Sequence, residues 1–165
     1  MSDERGYVAM TVKGLIIDPS SDSPVVILQD EKQEVFLPIW VGSFEASAIA
    51  LRMEGVEPPR PMTHDLLAQV VRDGRMRLSE ARVSSLQEGT FYAELEFDLG
   101  DAELLVLDAR PSDAIALALR LQCPIRVATD VLEEAKAVRL ATTDKERVKE
   151  WLENAKPEEF GEFEM

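Results

Sequence analysis

The stretch that decides the fold is Leu104-Leu105-Val106-Leu107-Asp108-Ala109-Arg110-Pro111-Ser112-Asp113-Ala114-Ile115-Ala116-Leu117-Ala118-Leu119-Arg120. Leu104 to Leu107 is an unbroken apolar run, the pattern of a strand buried on both faces. Pro111 fixes φ and has no N–H, so it suits a first helical turn and holds Arg110 before it extended. A helix is therefore expected from about Pro111. Ser112 and Asp113 suit its first turn, where unpaired amides and the positive end of the macrodipole favour oxygen-bearing side chains. From Ala114 to Leu121 only Arg120 is polar, which predicts a helix buried nearly all round. Asp108, Arg110, Ser112 and Asp113 thus crowd where a strand's carboxyl end meets a helix's amino end. In sheets with helices packed on them, that is a common place for a site.

Working back towards the start, Tyr7–Ile17, Val25–Gln29 and Glu34–Val41 read as a three-stranded meander, with the turn formers Asp18 to Pro24 between the first two. Pro38 cannot donate to a ladder, so it predicts an edge position or a bulge. Phe44–Glu54 reads as a helix stopped by Gly55. Its Ala48-Ile49-Ala50-Leu51 recurs as Ala114-Ile115-Ala116-Leu117, each time after a strand and a short corner. That repetition suggests a duplicated strand-corner-helix unit, with Glu45 opposite Pro111 and both corners facing one cleft; four residues of low complexity also arise by coincidence.

The proline-rich Val56–Pro61 is a connector. It leads to a helix over His64–Arg72, with Thr63 as its N-cap and Leu66, Leu67, Val70 and Val71 as its core stripe. Arg82–Leu86 and Phe91–Leu99 form a hairpin. After the central helix come a short strand at Ile125–Ala128, a helix from Thr129 or Asp130 through Ala137, and a last charged helix at about Asp144–Asn154 before an acidic end. The pattern predicts an α+β fold with a mixed, largely antiparallel sheet and packed helices. It is organised as a domain over 1–140 and a C-terminal helix and acidic tail over 141–165.

Length admits one substantial core: 165 residues and 18.4 kDa. The formal charge of −14 and pI near 4.5 argue against non-specific nucleic-acid binding, which relies on a basic surface. Arg72, Arg75, Arg77 and Arg82 are the one locally basic stretch and would offset that charge if they share a face. A lone cysteine, Cys123, excludes an intrachain disulfide and a Cys-based zinc cluster. The N-terminus has no signal-peptide core and no long apolar run follows, so a cytoplasmic protein without a membrane span is expected.

Few residues offer chemistry. His64, the only histidine, is suited to proton transfer near neutral pH; composition alone favours the plainer reading, a capping or surface histidine. Asp108 and Asp113, with Glu45, are carboxylates able to hold a hard divalent cation. The plainer reading is that Arg110 neutralises one aspartate while Ser112 and Asp113 start the helix and Glu45 meets a dipole. Phosphate loops, Walker motifs and a nucleophile elbow around Ser112 are absent.

Four blocks in order, Leu37–Leu51 (LPIWVGSFEASAIAL), Arg60–Leu67 (RPMTHDLL), Glu88–Leu95 (EGTFYAEL) and Leu107–Arg120 (LDARPSDAIALALR), resemble the bifunctional nuclease (BFN) domain family, as does the tail Trp151–Gly161. The resemblance implies an α+β domain, self-associating as a homo-oligomer and acting on both DNA and RNA. Its matching polar residues here are Glu45, Thr63, His64, Asp65, Asp108, Arg110, Ser112 and Asp113. Longer relatives carry a C-terminal UVR motif that this sequence does not show, so no role tied to that module is expected. The expected mechanism is metal-assisted phosphodiester hydrolysis. Asp108 and Asp113, with Glu45, would hold Mg²⁺ or Mn²⁺, Arg110 would stabilise phosphoryl charge, and His64 would move the proton. Two other classes stay open: a non-catalytic regulatory or protein-interaction module, and a binder of small anions at helix N-termini.

Overall fold

A computed structural model describes residues 6–135 and 138–139, the last pair by backbone alone. The helix expected over Asp144–Asn154 and the acidic tail lie outside the described residues. Within them the architecture is α+β. Strands β1 (Tyr7–Asp18), β2 (Ser23–Asp30), β3 (Val35–Trp40), β4 (Arg77–Gln87), β5 (Thr90–Gly100), β6 (Glu103–Ala109), β7 (Ile125–Ala128) and β8 (Val138–Arg139) form one sheet. Helices α1 (Ser43–Met53), α2 (Thr63–Asp73), α3 (Pro111–Leu121) and α4 (Thr129–Glu134) interrupt them.

The strand order is β6-β5-β4-β7-β1-β2-β3-β8. Every pairing is antiparallel except β4 with β7, so the sheet is mixed as expected. That parallel pair joins the first meander to the β4–β5–β6 meander. Glu88 and Gly89 close the β4–β5 hairpin with φ of 50° and 77°, the positive values a two-residue turn needs to match strand twist. This hairpin starts earlier than the sequence suggests. A bulge between Leu78 and Glu80 resets the alternation, and so hides the strand's first half from a period-2 reading.

The main core lies between the sheet and the helices. It contains Leu28 and Ile39 from the first meander, Phe91 and Phe97 from the second, and Ile49 and Leu117 from the helices, each 4% exposed or less. Helix α3 fulfils its reading: Ala114 to Ala118 are all at or below 2% exposure. Helix α1 packs on α3, as two copies of one strand-corner-helix unit would. By helix starts, Ser43 matches Pro111, two residues out of step with the Ala-Ile-Ala-Leu repeat.

Three local expectations need correction. β6 is not covered on both sides; it is the edge strand, and Leu104, Val106 and Leu107 are exposed. Of the expected α2 stripe only Val71 is buried; Leu66, Leu67 and Val70 are exposed, and Ala68 joins Val71 on the side of α2 that packs inward. The N-cap of α2 is Met62, not Thr63; the Met62 N–H donates to the Asp65 carboxylate at 2.9 Å, an acidic variant of the capping box. Pro38 meets its expectation, since β8 pairs with β3 only at Val35 and Phe36.

Candidate functional site

Three helices begin at one place. Glu45 lies in the first turn of α1, His64 in that of α2 and Asp113 in that of α3, with Arg110 as the extended N-cap of α3 at φ −69° and ψ 144°. The Arg110 Nε donates to Asp113 Oδ2 at 2.9 Å, and its Nη2 lies 3.0 Å from Glu45 Oε1. The His64 Nε2 lies 2.8 Å from the other Asp113 oxygen, Oδ1. Four of the five residues singled out from sequence are therefore one connected chain, and the two corners meet through the Arg110–Glu45 pair. Pro111 enables this by starting α3 directly after the turn, which aims Arg110 back across it.

Asp108 is not part of the chain. It pairs across β5 with Glu94, whose neighbours Ala93 and Leu95 point into the core, so Asp108 stands on the sheet face away from the helices. Ser112 is fully buried at 0% exposure, which removes it as a nucleophile.

Burial pushes the Asp113 carboxyl up, but hydrogen bonds from Arg110 and His64 outweigh it and hold the group below the ordinary carboxylate value. Asp113 is thus an anion at neutral pH. A carboxylate accepts only, so the proton of neutral His64 sits on Nε2, leaving Nδ1 as the lone-pair nitrogen. Arg110 is correspondingly held more firmly protonated, chiefly by its bond to Asp113.

A divalent cation does not fit this arrangement. The guanidinium of Arg110 bridges Glu45 and Asp113, the position a cation would take, and both Asp113 oxygens are engaged. No group of three or more His, Cys, Asp or Glu side chains able to hold a metal occurs among the described residues. The first turns of α1, α2 and α3 bring three positive dipole ends together at this junction, each beside a carboxylate of its own turn.

Two supporting residues were missed in sequence. Arg120 is 6% exposed; its Nε donates to Asp65 at 2.7 Å and its Nη atoms to the carbonyls of Ala116 and Ala48, each at 3.0 Å. Adjacent residues on α2 therefore pin it to α3 in two directions, His64 through Asp113 and Asp65 through Arg120. The signal was present: one charged residue in an otherwise apolar helix. Gly42 is the other, since a Cβ there would lie 2.2 Å from Glu45 Oε2; without one, Glu45 folds back over the start of α1. On the Asp65 side of α2 lies a cavity of about 450 Å³, lined in part by Arg52, Arg72 and Arg120.

The basic stretch does not act as a basic face. The β4 bulge does put Arg77 and Arg82 on one side of the sheet, but Arg77 pairs with Asp98 at 3.0 Å, and Glu80, Glu94 and Glu96 surround Arg82 at 3.3–3.4 Å. Arg72 turns away and donates to the carbonyl of Arg120.

Comparison with known proteins identifies the family. The family model described as "Bifunctional nuclease domain" matches residues 26–139, which include Glu45, His64, Arg110 and Asp113. A protein of Mycobacterium tuberculosis named only as uncharacterized is 41% identical over 160 residues, covering 90% of this chain and 95% of its own. Bifunctional nuclease 2 of Oryza sativa subsp. japonica is 27% identical over 118 residues, 70% of this chain and 36% of the rice protein. Bifunctional nuclease 2 of Arabidopsis thaliana is 28% identical over 107 residues, covering 64% and 32%. No helix among the described residues is long and apolar enough to cross a membrane.

Proposed function

Because the chain belongs to the bifunctional nuclease domain family, we propose that it hydrolyses phosphodiester bonds in DNA and RNA at the joined N-termini of α1, α2 and α3. The observation that carries this reading is the chain His64–Asp113–Arg110–Glu45 at that junction. A phosphate seated there meets backbone amides without needing a basic surface, which answers the objection raised by a net charge of −14. Water attacks phosphorus, His64 Nδ1 takes its proton, and the ester bond to the leaving oxygen breaks. That oxygen then receives a proton, from His64 or from water. Asp113 positions the imidazole and stabilises it when charged, as an orienting carboxylate does for a catalytic histidine. Arg110, 53% exposed at its side chain, stabilises charge developing on the phosphoryl oxygens. Arg110 occupies the place between Glu45 and Asp113 that Mg²⁺ or Mn²⁺ would take, so its guanidinium supplies the positive charge there.

The test is cleavage of single-stranded DNA and RNA by the full chain with and without EDTA. His64→Asn and Asp113→Asn should each lower the rate by about 100-fold or more, with circular dichroism showing the fold retained at the assay temperature and Asp108→Asn active as wild type. Turnover unaffected by Asp113→Asn overturns the assignment, and turnover abolished by EDTA returns the metal to the mechanism. The same corner favours a second reading, a binder of small phosphorylated ligands. Saturable mononucleotide binding without cleavage, lost in Arg110→Gln, would select it.

A further inference from the structure

The cavity on the Asp65 side of α2 gathers arginines in a chain whose formal charge is −14. Arg52 comes to it from the last turn of α1, Arg72 from the last turn of α2 and Arg120 from the last turn of α3. A cation near a helix's negative end is favourable in itself. What sets two of these apart is their pairing. Arg77, Arg82, Arg110, Arg120 and Arg126 each take a carboxylate partner. Arg52 and Arg72 take none among the described residues. Each donates instead to a carbonyl of α3, Arg52 Nε to Leu119 at 3.4 Å and Arg72 Nη2 to Arg120 at 2.8 Å, which leaves most of the donors of each guanidinium over. Because those carbonyls belong to adjacent residues, two like charges are held near one another at one hollow, and an anion bound there relieves their repulsion. Asp65 does not do so: its Oδ1 accepts from Arg120 and its Oδ2 from the Met62 N–H.

We infer that this cavity binds a phosphate monoester whose organic body has the size of a sugar or a nucleoside. Two guanidiniums without carboxylate partners match a dianion. A phosphate monoester at neutral pH carries close to two negative charges and three acceptor oxygens, whereas a carboxylate carries one charge and two. Volume decides the rest. About 450 Å³ falls within the range of about 300–1,000 Å³ for pockets that enclose a small organic ligand, and a bare inorganic ion would leave most of it empty. Much of the remaining wall is the connector 56–61. The Val56 N–H donates to the Leu51 carbonyl at 2.9 Å, and Pro58 and Pro61 have fixed φ, so this apolar wall is set in place before a ligand arrives. Glu57 and Gln69, both exposed, add hydrogen-bonding groups suited to hydroxyls. Glu45, His64, Arg110 and Asp113 are not among the lining residues, so the inference is independent of the hydrolysis proposed at the helix junction.

Calorimetric titration of the full chain with AMP, UMP and glucose 6-phosphate tests this. At least one should bind with a Kd of about 1 mM or tighter, and about 10-fold or more tighter than inorganic phosphate or the same compound without its phosphate. Which of them binds separates a nucleotide from a sugar phosphate. Arg52→Gln and Arg72→Gln should each weaken that binding by about 10-fold or more, the loss expected for hydrogen bonds to a charged group. Arg110→Gln should leave it unchanged, because that residue belongs to the junction and not to the cavity. Arg72 also braces α3, so Gln69→Trp serves as a second variant: an exposed position whose indole fills the hollow should abolish binding with unchanged circular dichroism. No binding of any of the three at about 10 mM, or binding no tighter than that of inorganic phosphate, would overturn the proposal. So would binding indifferent to both Arg52→Gln and Arg72→Gln, or binding lost in Arg110→Gln.

Discussion

Strand β6 and helix α3 are separated by one residue, Arg110, and are alike in apolar content, yet Leu117 is completely buried while Leu104 is 60% exposed. The difference is one of place. Helix α3 lies on β4 and β5 with α1 and α2 against its sides, so all of it but Asp113, Leu119 and Leu121 is buried within the chain. β6 ends the strand order, with a neighbour on one side only. An apolar sequence states a need for burial, and topology determines whether the same chain meets it.

The sharpest way to break this comparison is the same substitution on both sides of Arg110. Leu117→Ala removes a side chain at 0% exposure and should destabilise the fold by about 2–5 kcal/mol, the range for a cavity in a packed core. Leu104→Ala should stay within about 0.5 kcal/mol of wild type. Denaturant titration reads both from the shift in midpoint at constant slope. Equal losses would mean that β6 is already covered within the chain.

The same contrast explains what could be read in the sequence. Local chemistry was legible: Pro111 started α3 where expected, Gly55 ended α1, and the polar corner residues Glu45, His64, Arg110 and Asp113 did converge. Features set by what lies across a gap were not. Leu66, Leu67 and Val70 have helical spacing, but α2 turns Ala68 and Val71 towards α3, since small residues let the helices approach. Asp108 is next to the corner in sequence and on the far face of the sheet in space, because strand alternation separates neighbours that a helix start would gather. Glu45 and Asp113 were each read as partners for a cation, and the cation between them is the guanidinium of Arg110.

A finer probe of the α3 side is its one inward charge. Burial raises the Asp65 carboxyl, but the Met62 amide and Arg120 outweigh it, so its folded pKa lies below the ordinary value of 3.8. A carboxyl depressed by folding contributes stability that is fully present above the unfolded pKa and is lost as pH falls through the folded one. Asp65→Asn should therefore be destabilising near neutrality, by less than Leu117→Ala because Asp65 is 28% exposed at its side chain. The difference from wild type should shrink steadily as the pH drops below about 4 and the native carboxyl becomes protonated too. Subtracting the two curves cancels the acid sensitivity of other carboxylates, such as Asp18, which four hydrogen bonds from Ser20, Ser21 and Trp40 hold at about 2. A pH-independent difference would show that Arg120 is held by the carbonyls of Ala48 and Ala116 alone. The burial of α3 would then owe nothing to charge, and its contrast with β6 would be one of packing only.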